Sequence, residues 1–325
     1  MSDKYILVTG GAGFIGSHVT KMLGARGYHP IILDNLSHGN EKSVIAGTFI
    51  KGDLSHDADL EKIFNTFSIS AVMHFAAFID VGESVINPAK YYLNNVFNTC
   101  LLLEKMRKYH VNILIFSSSA AIFGYPNNPN PINETHPYRP INPYGQTKLA
   151  VENILKDYSN AYGLKFSCLR YFNAAGGDPE GKIKNYKQKE TNLIPQILNS
   201  VKTPGKQLKI FGTDYPTSDG TCVRDYIHIE DLGSAHIITL EKLLNGGDST
   251  HYNLGNGNGF TIRQVIETVE IVTNQKVNFI ETARRPGDPP ILIADSSKAC
   301  RELGWHPEFS DLKTIISHAW EALKN

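Results

Sequence analysis

Eight residues near the start of the chain, Thr9-Gly10-Gly11-Ala12-Gly13-Phe14-Ile15-Gly16, restrict its fold more than any other stretch. The glycines are spaced G-x-x-G-x-x-G. An apolar run, Tyr5–Val8, precedes them, and a helical pattern continues to about Arg26. Glycines permit a tight turn and a close backbone approach to a pyrophosphate. A helix N-terminus adds N–H donors and partial positive charge. Gly10, Gly13, Phe14, Ile15 and Gly16 are therefore expected to cradle a dinucleotide.

The first half alternates short apolar strands with helical patterns. Strands are expected at Ile31–Leu33, ending at Asp34, and at Thr48–Lys51, ending at Gly52-Asp53. A helix over about Ala58–Phe67 and a strand at Ala71–Phe75 follow. Next come a long helix, Ala89–Tyr109, and a strand, Ile113–Phe116, running into Ser117-Ser118-Ser119. Pro143 suits the first turn of a helix, which runs to about Tyr162, and Phe166–Arg170 is another strand. This alternation predicts an α/β fold: a Rossmann-type, doubly wound parallel sheet with helices on both faces. After Asn173 the texture changes. Ala174–Glu190 reads as a long loop, followed by mixed elements with helices near Glu230–Leu244, Thr261–Thr273 and Asp311–Lys324. The expected division is an NAD-binding domain over 1–175, to which about 222–245 returns, and a smaller mixed α/β substrate domain over 176–325.

Ligands of such sheets bind at the carboxyl ends of the strands. The glycine loop, Asp34, Asp53, Ala76-Ala77 and Ser119 all fall there. A carboxylate at Asp34 can accept hydrogen bonds from ribose hydroxyls and would repel a 2′-phosphate. No Arg or Lys follows before Lys42, which favours NAD over NADP. Asp53 is expected to contact adenine or, equally well, to serve as a turn or helix-capping aspartate.

Tyr144 and Lys148 stand four apart at the start of the helix opened by Pro143, so both share one face. A cation about 4 Å from a phenol, at an effective dielectric near 20, lowers its pKa by roughly three units. Lys148 is thus expected to help Tyr144 act as a general base, with Ser119 holding the reacting hydroxyl. Bulk properties remove other classes. The formal net charge is zero, which gives no global case for nucleic acid or anionic membrane. No apolar run approaches membrane-spanning length. Cys100, Cys168, Cys222 and Cys300 form no CxxC, and no tight metal spacing occurs among the histidines. The chain enters its first strand without a signal-peptide pattern, so a cytoplasmic protein is expected.

Beyond the glycine loop and the Tyr144/Lys148 pair, longer segments carry a resemblance. They include Val8–His18 (VTGGAGFIGSH), His74–Ala77 (HFAA), Asn142–Glu152 (NPYGQTKLAVE), Leu169–Gly176 (LRYFNAAG), Val223–His228 (VRDYIH) and Arg284–Asp288 (RRPGD). Over nearly its whole length the chain resembles the extended short-chain dehydrogenase/reductases. Within them it is most similar to the epimerases that interconvert UDP-glucose and UDP-galactose. The resemblance implies that Tyr144 takes the proton of the sugar 4-hydroxyl while tightly held NAD accepts hydride from C4. The 4-ketose then turns over and recovers hydride on its other face. On the cofactor side it adds Asn35, Leu54, Phe75, Asn95, Ser117, Tyr171 and the loop Val81–Ser84. On the substrate side it adds Asn173, Asn192, Leu193 and Tyr226. Phe211 is to lie by the uracil, Asp288 on the uridine ribose, and Arg224 and Arg285 on the diphosphate. A homodimer through the two long helices is also implied.

The chain departs from the family at Ile79, where lysine is common, at Ala121, where a hydroxyl is common, and at Phe123, where tyrosine is common. Core packing is the alternative role for Phe123. Leu292 falls at the gate beside the sugar 2-substituent and leaves UDP-N-acetylhexosamines and UDP-pentoses open as substrates. Competing readings are a related dehydratase or reductase, and a non-catalytic NAD-binding regulator. Ser119 is followed by Ala120-Ala121, so the acid expected of a 4,6-dehydratase is missing.

Overall fold

The computed structural model describes residues 4–126, 130–184, 191–203, 205–285 and 288–324. The chain runs β1 (Tyr5–Thr9), α1 (Phe14–Ala25), β2 (His29–Asp34), β3 (Thr48–Lys51), α2 (Asp57–Thr66) and β4 (Ile69–His74). Short helices α3 (Val81–Ile86) and α4 (Pro88–Tyr92) lead through a π-helical turn, Leu93–Phe97, into α5 (Asn98–Lys108). Next are β5 (Ile113–Ser119), α6 (Pro143–Tyr162), β6 (Lys165–Tyr171), β7 (Asn173–Ala175), α7 (Leu193–Lys202), β8 (Leu208–Phe211), β9 (Val223–His228) and α8 (Ile229–Leu244). The chain closes with β10 (Thr250–Leu254), β11 (Gly259–Thr261), α9 (Ile262–Thr273), β12 (Phe279–Thr282), β13 (Ile291–Leu292), α10 (Ser297–Leu303) and α11 (Leu312–Leu323).

Two compact units emerge. The first comprises Met1–Phe123, Tyr138–Arg170 and Gly233–Tyr252, and the second Gly124–Pro137, Tyr171–Leu232 and Asn253–Asn325. The first is built on a seven-stranded sheet in the order β10-β6-β5-β4-β1-β2-β3. The pairings of β3 with β2, β2 with β1, β1 with β4, and β4 with β5 are all parallel. Ile6, Leu7 and Val8 of β1 are fully buried, as an unbroken apolar strand covered on both faces should be. On one face Leu60 and Ile63 of α2, Leu102 and Met106 of α5, and Val151 and Leu155 of α6 pack on Leu7, Leu33, Val72 and Leu114. Gly233 of α8 lies so close to α1 that a Cβ there would sit 2.3 Å from Met22 Sδ. The parallel, Rossmann-like α/β sheet is the one the alternating pattern implies.

Sheet order fixes where a ligand can enter. The chain passes from β1 outward through β2 and β3, then crosses to β4 on the other side of β1. The carboxyl ends of β1 and β4 flank that reversal, which opens a crevice between their loops. Gly10 (φ +73°) meets it: a Cβ at this position would lie 2.6 Å from the backbone N of Ala76.

In the second unit, β9 is the hub of a small mixed sheet, parallel to β7 and β13 and antiparallel to β11. β8 and β12 form a separate parallel pair. Helices α7, α9 and α11 supply Ile197, Leu198, Val265, Val269, Ile315 and Ile316 to its core.

Some expectations shift. Val81–Ser84 is not loop but the first turn of α3, because the Asp80 carboxylate caps it by accepting from Glu83 N (2.9 Å). The helix expected over Ala89–Tyr109 begins at Pro88 and is interrupted by the π turn. Within the expected loop Ala174–Glu190, Ala174 and Ala175 belong to β7, held by β9; 185–190 lie outside the described residues. Phe123 is fully buried and packs against Tyr138 (ring centres 5.8 Å apart), as core packing requires.

Candidate cofactor and catalytic site

The groove at the β1/β4 crossing is lined by Gly10, Gly13, Asp34, Asn35, Asp53, Leu54 and the segment Phe75–Ala77. All were expected from sequence. Ser37, His38, Gly39, Phe78 and Asn94 also line it and were not. Gly39 offered a signal: it follows the end of β2 closely, and its Cα packs so tightly on the glycine loop that a Cβ would lie 2.9 Å from Ala12 O.

Helix α1 starts at this groove with Gly13 as N-cap, no side-chain cap and no acidic residue in its first turn. Phe14, Ile15 and Gly16 form the first turn of that helix, which no side chain caps. Gly16 is pressed against Gly10 O, where a Cβ would be 2.3 Å away. The Asp34 carboxylate locks this geometry by accepting from Ala12 N (3.0 Å) and Leu36 N (2.8 Å). Burial raises its pKa, and these hydrogen bonds oppose the rise. An uncapped helix end with positive partial charge, glycine-only clearance and a carboxylate at the end of β2 fits a dinucleotide's pyrophosphate and ribose.

Two expected contacts have their polar atoms engaged within the protein. Asp53 accepts from Asn35 Nδ2 (2.6 Å), Ser55 N (2.8 Å) and Ser55 Oγ (2.7 Å), the turn geometry that was the alternative to an adenine contact. Burial raises its pKa, but these bonds outweigh that and leave it lowered. Asn95 sits in the π turn, accepts from Phe78 N (2.9 Å), and donates to Phe78 O (3.0 Å) and Thr147 Oγ1 (3.2 Å). It clamps the groove wall to α6. Glu83 accepts from Lys90 Nζ (2.7 Å) and Tyr91 Oη (3.0 Å), and Ser84 donates to Val81 O (2.7 Å).

Ser119, Tyr144 and Lys148 come together at the end of β5. Asn142 caps α6 by accepting from Gly145 N (2.8 Å), Pro143 fills the first turn, and Gly163 ends the helix in the left-handed conformation (φ 72°). Those local signals place Tyr144 in the first turn, with Lys148 one turn on. Ser119 Oγ accepts from Ala121 N (3.1 Å), and its side chain is hydrogen-bonded to Tyr144. Lys148 is buried, donates to Ser117 O (2.7 Å) and lies 5.9 Å from the centre of the Tyr144 ring.

The electrostatics differ from expectation. Burial raises the Tyr144 pKa, and only the Ser119 hydrogen bond lowers it. Burial also depresses Lys148, to about 7, against the pull of Glu152. Removing charge from water penalises both members of the pair. The reduction of roughly three units expected from a fully cationic neighbour assumed a charge that burial here weakens.

In the second unit, Arg224 is anchored by donating from Nη1 to Val223 O (2.9 Å) and Pro289 O (2.8 Å). Its Nη2 lies 3.6 Å from Asp288 Oδ1, while Asp288 Oδ2 is 3.9 Å from Arg285 Nε. Asp288 thus spaces two cations. The Arg285 guanidinium stands 4.3 Å from the Phe211 ring centre. Leu292 of β13 pairs in register with Arg224. Asn173 donates to Asp225 O (2.8 Å), Tyr226 and Tyr171 are buried, and Asn192 is the exposed N-cap before Leu193 of α7. Pro286 and Gly287 lie outside the described residues.

Residues 6–255 match the NAD dependent epimerase/dehydratase family. The chain belongs to that family. It is 48% identical over 315 residues to the UDP-glucose 4-epimerase of Halalkalibacterium halodurans, covering 97% of this chain and 94% of that protein. The crystal structure of UDP-glucose 4-epimerase from Brucella ovis in complex with NAD is similar with a TM-score of 0.95 and 45% identity, covering 98% and 97% of the two chains. The UDP-Glc/GlcNAc 4-epimerase of Campylobacter jejuni is similar with a TM-score of 0.85 and 40% identity, covering 98% of both.

Two outcomes follow from this geometry. Gly10→Ala places a methyl against Ala76 N in a left-handed backbone, so the purified variant should carry less than about a tenth of the parent's bound NAD, read by absorbance after acid release. Lys148→Met tests the buried ammonium. A lysine whose folded pKa is depressed to about 7 lets the unfolded chain bind more protons between pH 7 and its usual range, so parental stability rises with pH there. In cofactor-stripped protein, the urea midpoint of Lys148→Met relative to the parent should be higher at pH 6 than at pH 9. A pH-independent gap contradicts the depressed lysine.

Proposed function

We propose that this chain catalyses the reversible 4-epimerisation of UDP-glucose and UDP-galactose with NAD held at the glycine loop. The observation that carries the mechanism is the joint seating of Tyr144 on Ser119 and Lys148 on Ser117 O, at the strand end next to β4. NAD supplies the hydride acceptor and, in its oxidised form, a positive charge. The chain's own residues do the rest. Tyr144 receives the proton of the sugar 4-hydroxyl and later returns it. Ser119 orients that hydroxyl, since its Oγ is fixed by Ala121 N–H and its side chain is bonded to Tyr144. Lys148 offsets the tyrosinate charge and, with Ser117, faces the nicotinamide ribose. Burial keeps Tyr144 protonated at rest, so the base is activated only once positive charge is added beside it.

Arg224 and Arg285 bind the diphosphate, Asp288 the uridine ribose and Phe211 the uracil; Asn173, Asn192, Leu193 and Tyr226 line the sugar-nucleotide site. The anchored guanidinium of Arg224 and the stack of Arg285 on Phe211 support this reading. Leu292, one strand from Arg224, sets the room beside the sugar 2-substituent, and the likeness to a UDP-Glc/GlcNAc enzyme supports a second reading in which N-acetyl sugars are also accepted.

We further propose a cytoplasmic homodimer serving galactose metabolism. No helix among the described residues is long and apolar enough to cross a membrane, and the four cysteines are free. Val85, Ile86, Leu93 and Phe97 stand 62%, 86%, 62% and 55% exposed along α3 to the π turn, and Tyr162 stands 58% exposed at the end of α6. Exposed apolar side chains grouped along one segment support a partner surface there. A second copy is the partner proposed.

The purified protein should convert UDP-galactose to UDP-glucose without added NAD. No product, even with NAD supplied, would sink the reading. Tyr144→Phe should lower kcat by about 10²- to 10⁴-fold with UDP-sugar still bound. Phe97→Glu should sediment as a monomer where the parent sediments as a dimer; unchanged sedimentation would place the interface elsewhere.

A further inference from the structure

Behind the catalytic pair lies an ion pair that the reaction as described does not use. Glu152 sits one helical turn beyond Lys148 on α6, and Arg170 near the end of β6. Their side chains are 8% and 1% exposed. Arg170 donates from Nε to Glu152 Oε1 (2.9 Å) and from Nη2 to Oε2 (2.6 Å), the two-point geometry of a guanidinium on a carboxylate. Ser118 Oγ donates to Glu152 Oε1 (2.6 Å), and Tyr138 Oη accepts from Arg170 Nη2 (2.9 Å). Ser118 is flanked by Ser117, whose carbonyl holds Lys148, and by Ser119, bonded to Tyr144. One carboxylate therefore ties α6 to both β5 and β6 at the strand end carrying the catalytic groups.

We propose that Glu152 is a positioning residue for the Tyr144–Lys148 pair, fixing the register of α6 against Ser117–Ser119 and holding a buried negative charge one turn behind the ammonium. This rests on the epimerase reading above. A buried ion pair is costly and seldom needed for stability alone. Among the described residues its carboxylate is the acidic group that bears most on Lys148, ahead of Cys168. The other groups around it are Tyr144 on the same helix, His74 on β4, held neutral by burial at about 3, Cys168 on β6, whose thiol burial pushes up, Arg170 on β6, and Tyr138 beside Arg170. Glu152 favours the protonated lysine and opposes the burial that depresses it. Through the lysine it eases formation of tyrosinate at Tyr144.

The test is Glu152→Gln, studied with NAD bound. Loss of the charge should move the acid limb of kcat upward by roughly one pH unit, and kcat near pH 7 should fall about tenfold while KM changes less than twofold. The deficit should narrow toward pH 9. An ultraviolet difference titration of tyrosinate, with Tyr144→Phe as blank, should show the same upward shift without any reliance on turnover. An inactive parent would defeat the epimerase reading, yet this titration would still decide the role of Glu152. Because Glu152→Gln leaves Arg170 without its counter-ion, Glu152→Asp is made beside it. That variant keeps the charge but cannot hold both contacts, so its acid limb should stay in place while kcat falls with bound NAD unchanged. The proposal is overturned if Glu152→Gln leaves limb and titration unmoved, if its loss merely tracks lost NAD, or if Glu152→Asp matches the parent.

Discussion

The molecule is organised by the point where β4 turns back beside β1. There the backbone of Gly10 runs so close to Ala76 that any side chain would collide with the peptide behind it. That approach aims the uncapped start of α1 and the strand-end carboxylate Asp34 at one groove. It also seats β5 next in the sheet, so the Ser117–Ser119 end lies two strands from the glycine loop. Everything chemical in the first unit is hung on this arrangement. The parallel sheet supplies rigidity, and the loops at its carboxyl end supply the groups.

Charge in this unit is used sparingly and under burial. Lys148, Glu152 and Arg170 are removed from water together, each with a defined partner, while His74 is held neutral between Thr9 Oγ1 (2.6 Å) and Thr99 Oγ1 (2.8 Å). Desolvation raises the cost of every uncompensated charge, so the resting site favours a neutral phenol. On the proposed reading, the tyrosine base is idle until a cationic ring and a substrate hydroxyl are both in place. The same burial that weakens Lys148 alone makes an added positive charge more effective than it would be in water.

What could be read from sequence was whatever is encoded locally. The glycine loop announces itself because strand, turn and helix are contiguous. Helix α6 does so because Asn142-Pro143 opens it and Gly163 closes it. Tyr144 and Lys148 then follow from helical spacing. Residues whose meaning depends on distant partners were misjudged or missed. Helix α3 hides behind a glycine and three β-branched residues, and the Asp80 cap reveals it. The partners that orient Asn95, Phe78 and Thr147, lie seventeen and fifty-two residues away and leave no local signal. The Glu152–Arg170 pair looks like two ordinary surface charges until the sheet brings β6 against α6. The strand β9 carries Arg224 and Asp225 in a buried hub, a pattern that apolar periodicity does not flag.

The π turn at Leu93–Phe97 has a consequence for how this chain tolerates change in length. A π turn holds one residue more than the α-helical path through the same space, and each residue of an α-helix advances the face by about 100°. That extra residue lets Asn95 point inward while Leu93 and Phe97 point out. Deleting a single residue between Tyr92 and Asn98 would return the segment to regular helix and turn the side chains within it by up to about 100° while α4 and α5 stay in phase. The polar clamp of Asn95 and the exposed apolar side chains of Leu93 and Phe97 would both be displaced at once. Substitutions there are read one side chain at a time, whereas a one-residue frame change would be read by two faces of the protein together.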